Sequence, residues 1–121
     1  MVASVIGVTI AMIVITGIGC AVIHEFGHWI TAKIFGGDIK FALEFGKLFG
    51  VILIPRGIWR MPEKFSKTQK KIVAIAGFGF EFIASLIAVL VFQYWIMMII
   101  FILHIGLYKF YAGDASDFQW L

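Results

Sequence analysis

The chain has 121 residues, of which 62% are hydrophobic and 14% charged, with a mean hydropathy of +1.03 and a formal net charge of +3. No soluble domain covers so much apolar area, so an ordinary soluble enzyme is excluded and an integral membrane protein is expected. The single Cys20 excludes an intrachain disulfide framework.

Val2 to Ile23 carries no charge, and helical geometry extends the apolar pattern through His24 and His28 to Lys33, so residues 2–33 are expected to form a first span. This segment lacks a basic n-region and is longer than a typical signal-peptide core, so it is read as retained. Ile72 to Leu107 is interrupted only by Glu81, Gln93 and His104. As one helix it would be roughly 54 Å long, too long for a bilayer core of about 30 Å. A hairpin turning at Gln93, Tyr94 and Trp95 resolves this, with spans at about 72–91 and 95–111. Every Lys and Arg lies between Lys33 and Lys71 or at Lys109. The positive-inside rule then places the loop of about 34–71 and the C-terminus in the cytoplasm and the N-terminus outside.

Within that loop, Ile39, Phe41, Leu43 and Phe45 alternate with Lys40, Ala42, Glu44 and Gly46, the period of a half-buried strand. Val51 to Ile54, bounded by Gly50 and Pro55, is a second strand candidate, and the pair is expected to form a small β-hairpin at the cytoplasmic face. Such a hairpin either plugs the bundle or offers an edge to an extended peptide. The lysines of Glu63 to Lys71 read as a topology signal in contact with lipid headgroups, not as a nucleic-acid site.

The chemistry is concentrated in His24-Glu25-Phe26-Gly27-His28. Histidines four apart on a helix stack one turn apart on one face, where both imidazoles can reach a single metal ion. Imidazole is a natural zinc ligand, and three protein ligands with one open position form the usual catalytic arrangement. Glu25 lies to one side of that face, where it can serve as general base. Gly17, Cys20, Ala21, Gly27 and Thr31 share the side of the helix that carries His24, whereas Ile18, Val22, Phe26, Trp29 and Ile30 point elsewhere. Small residues on one side suit a helix packed inward on a polar site. Cys20, one turn before His24, reads as a small packed residue before it reads as a ligand.

The stretch "HEFGHWITAKIFGG" resembles the active-site helix of the site-2 protease family, the intramembrane zinc metalloproteases. A second stretch, "AIAGFGFEF" at 74–82, is similar to that family's Ala-Gly-Pro-x-x-Asn element, with Phe78 in place of the Pro and Glu81 in place of the Asn. "AGDASDFQWL" is a loose counterpart of its Leu-Asp-Gly element, which carries a metal-binding Asp. The resemblance implies a three-helix core spanning nearly the whole chain and one zinc ion held by His24, His28 and an aspartate. Asp117 is preferred to Asp114 for its flanking Phe118 and Trp120. Glu81 would orient substrate or water, as the family's Asn does; read from the residues alone, it equally suits a pair with His104 or Lys109. His104 reads as a hydrogen-bonded interhelical residue.

These observations together predict a single all-α membrane domain over residues 1–121, with three transmembrane helices and a small cytoplasmic β-hairpin. The expected activity is zinc-dependent hydrolysis of a peptide bond in or near the transmembrane segment of a membrane-protein substrate, with Glu25 catalytic. The partners are that substrate and the lipid bilayer, and the sequence leaves a homo- or hetero-oligomer open. The rival expectations are a non-proteolytic membrane scaffold or complex subunit derived from such a protease, which Phe78 and Glu81 favour, and a small ion carrier.

Overall fold

A computed structural model describes the backbone of residues 1–48 and 52–112 and the side chains of 1–39 and 60–108. The elements in chain order are α1 (Val2–Ile34), β1 (Lys40–Leu48), β2 (Ile52–Arg60), α2 (Lys67–Phe92) and α3 (Trp95–Ala112). α1 and α2 are long and apolar enough to cross a membrane; the apolar part of α3, Trp95–Tyr108, is shorter.

The helix ends follow from local chemistry. α1 stops where Gly36 enters the left-handed region at φ 77°. Its N–H donates to the Lys33 carbonyl at 2.9 Å and that of Gly37 to Ala32 at 3.0 Å, so carbonyls left over at the helix end are satisfied. α2 begins at Lys67, earlier than the apolar pattern suggests, because Ser66 and Gln69 form a reciprocal capping box at 3.1 and 2.9 Å. It ends at Gln93, φ 53°, and α3 starts two residues later. The Tyr94 hydroxyl and Thr16 hydroxyl are 2.5 Å apart, tying this turn to the middle of α1.

The small hairpin expected from 39–45 and 51–54 is corrected in size and bounds: β1 and β2 form a longer antiparallel ribbon of two nine-residue strands, with Lys40 opposite Arg60, Phe45 opposite Pro55 and Leu48 opposite Ile52. Pro55 was expected to end a strand, but it lies inside one. A two-stranded ribbon consists only of edges, where a residue without an N–H is tolerated.

An apolar cluster closes one end of the bundle. Ala32, Ile39, Phe65 and Val73 are buried together, with Phe35 and Met61 packed against them. The first fifteen residues are exposed, a surface of Val and Ile suited to lipid. Outside this apolar stretch, Lys33 pairs with Asp38, and the ammonium holds that carboxyl below the usual carboxylate range.

Candidate metal centre

α1 and α2 approach closely because two glycines meet there. A Cβ on Gly27 would lie 2.6 Å from the Ala76 carbonyl oxygen, and one on Gly77 would lie 2.6 Å from His28 Nε2 and 2.8 Å from His24 Nε2. Only a residue without a side chain permits that distance. The glycine at 77 therefore lets the α2 backbone come up against both imidazoles.

His24 and His28 are 2% and 1% exposed, and their Nε2 atoms are 3.1 Å apart. The other nitrogen of each ring faces a hydrogen-bond acceptor. His28 Nδ1–H donates to the Val73 carbonyl at 2.7 Å, and His24 Nδ1–H donates to Glu81 Oε2 at 3.2 Å. A carbonyl only accepts, so neutral His28 carries its lone pair on Nε2; the carboxylate imposes the same tautomer on His24. Both lone pairs then sit on the Nε2 atoms, which face one another beside Gly77. Two nitrogens bound to one tetrahedral zinc at about 2.0–2.1 Å are themselves about 3.4 Å apart, close to the spacing found here.

No family model matches the chain, and no curated protein or solved structure matches it.

Glu81 is fully buried and receives His104 Nδ1–H at 2.9 Å on Oε1 and 2.8 Å on Oε2. His24, Glu81 and His104 form a group that could hold a metal ion, their ligand atoms lying within 4.8 Å of one another. His24 thus faces two ligand sets, His28 across Nε2 and Glu81 with His104 across Nδ1. Rings close the surroundings: Phe78 stands edge-on to His24 at 4.5 Å between centroids, with Tyr108 5.1 Å from Phe78 and 5.9 Å from His24. Cys20 is buried one turn before His24, and Ser85 is buried one turn beyond Glu81.

Of the residues singled out from sequence, His24, His28 and Glu81 converge, and Glu25 follows His24 on α1. Asp117 and Asp114 lie outside the described residues. The sequence left Glu81 open between a site role and a pair with His104 or Lys109, and did not place His104 beside His24. The turn held the signal: Glu81 and His104 are nearly equidistant in sequence from Gln93 and Tyr94, so an antiparallel helix pair sets them opposite one another.

Proposed function

We propose that this chain is an intramembrane zinc metalloprotease of site-2 protease type, cleaving a peptide bond in or near a transmembrane segment of another membrane protein. The observation that carries the reading is the convergence of His24 and His28 Nε2 beside Gly77, with Glu25 adjacent, on a helix apolar enough to cross a bilayer. The donors suit zinc, a borderline-soft ion that takes imidazole and carboxylate ligands. In this reading one zinc ion is held by His24, His28 and Asp117, or Asp114 in its stead. The third span is the C-terminal helix, the N-terminus lies outside, and the central loop and C-terminus are cytoplasmic.

When bound, zinc supplies Lewis-acid polarisation of a carbonyl and acidifies water. The remaining work belongs to side chains. Glu25 takes the proton of the attacking water and returns it to the leaving amine nitrogen. His24 and His28 hold their lone pairs in fixed directions because Glu81 and Val73 anchor the opposite ring nitrogens. Phe78 and Tyr108 exclude bulk water from one side and strengthen the local electrostatics. The substrate must unwind locally to present its peptide bond, and an edge of the β1–β2 ribbon suits the task of holding it extended.

The test is cleavage of a panel of transmembrane peptides by the full chain in proteoliposomes, beside Glu25→Gln and with a zinc chelator. Products that disappear with either treatment support the protease. Equal products from wild type and Glu25→Gln would sink it.

A second reading, the non-proteolytic scaffold derived from such a protease, is favoured by the Phe78 ring lying 4.5 Å from His24, where it crowds the approach to the imidazole. Stoichiometric zinc without metal-dependent cleavage of any peptide in the panel would select it.

A further inference from the structure

All three histidines of this protein lie in one cluster around Glu81. The metal could sit on either side of His24, and the two positions give Glu81 different tasks. On the Nδ1 side Glu81 and His104 would be ligands. On the Nε2 side they would stand behind the ligand.

We propose that Glu81 is a positioning residue for His24 and that His104 in turn positions Glu81, so that α3 orients a metal ligand carried by α1 without contacting the metal. The inference rests on the zinc-site reading above and concerns which nitrogen of His24 the metal takes. Three observations favour Nε2. His28 Nδ1 is committed to the Val73 carbonyl at 2.7 Å, which directs the His28 lone pair toward His24 Nε2 and away from Glu81. The Nε2 side of His24 is bounded by Gly77, where a Cβ would come within 2.8 Å of both Nε2 atoms and none is present. The Glu81 carboxylate is engaged by two imidazoles, with His104 Nδ1 nearly equidistant from both oxygens at 2.8 and 2.9 Å and His24 Nδ1 3.2 Å from one of them.

A carboxylate behind a ligating imidazole does three things. It selects the tautomer, holds the ring plane, and raises the basicity of the distal nitrogen. Each needs the carboxylate itself to be immobile. Glu81 has three rotatable bonds, and His104, reaching it from α3, supplies that restraint. Ser85 Oγ, one turn further along α2, contacts the Met97 carbonyl of α3 at 3.4 Å, so the two helices are joined at this level by polar contacts as well as packing.

The experiment uses the full chain, purified with a tag free of histidine, 15N-labelled on its imidazoles and loaded with 113Cd in detergent micelles. Three histidines give a spectrum simple enough to assign. Coupling of 113Cd to the Nε2 atoms of His24 and His28, with none to His104, is the expected result. It needs no variant at Glu81 and so is independent of whether one folds. Coupling to Nδ1 of His24 and of His104 would overturn the proposal and make Glu81 a ligand. Glu81→Gln should keep the wild-type Co(II) visible spectrum while weakening metal affinity about 10- to 100-fold. An unchanged affinity would overturn the positioning role but leave the zinc site standing. A wild-type chain that takes up neither Cd nor Co would overturn both the zinc site and this inference.

Discussion

His24 Nε2 lies 3.1 Å from His28 Nε2, and Gly77 packs against them both. If this pair holds a metal, elemental analysis of detergent-purified protein should find about one zinc per chain, the usual single-ion stoichiometry of such sites. His28→Ala should lose it. Metal absent from wild type after zinc is offered would move the reading to the scaffold.

Glu25→Gln separates binding from chemistry. The variant should retain zinc, since Glu25 is not among the ligating groups, while peptide cleavage falls about 10²- to 10⁴-fold, the range for loss of a general base. Parallel loss of zinc and cleavage would make Glu25 a ligand.

Gly77→Ala adds a methyl group within 2.8 Å of both Nε2 atoms, closer than Cβ atoms are found to approach. Zinc binding should be abolished, and overpacking should cost about 1–3 kcal/mol of stability. Gly79→Ala, two residues on, meets nothing within 4 Å among the described residues and is the matched control, with zinc unchanged. Equal zinc in the two variants would show that the space beside Gly77 is not where the metal sits.

The exposed Lys33 and Asp38 pair closes the end of α1. Lys33 lowers the Asp38 pKa, by a hydrogen bond first and by charge second, so folding gains from the ionised carboxylate. That gain is fully present above the unfolded-state pKa of Asp38 and is lost as pH falls through its lower folded value. A titration of the Asp38 carboxyl 13C shift should have its midpoint below that of an unstructured aspartate, and Lys33→Ala should bring the midpoint back up. A midpoint indifferent to Lys33 would remove the pair.

Much of the architecture was legible because it rests on local rules. The break at Gln93 follows from a 36-residue apolar block too long for one bilayer crossing, and the chain does turn there, with Gln93 left-handed. The start of α2 was misjudged by five residues because the apolar pattern begins at Ile72, whereas the capping box lies among the polar residues before it. The ribbon was misjudged at Pro55 because a breaker inside a sheet is harmless on an edge, and whether a strand is an edge is not a local property.

The sequence by itself determined the long apolar helices and the stacking of His24 over His28, because hydropathy and the helical repeat act within one segment. Tertiary structure alone decided what stands around that pair. Glu81 meets both His24 and His104 only through the relative register of three helices. Gly77 faces the imidazoles only because Gly27 lets α1 and α2 touch. Packing between helices is set by side-chain volumes on both partners at once, so no single segment encodes it.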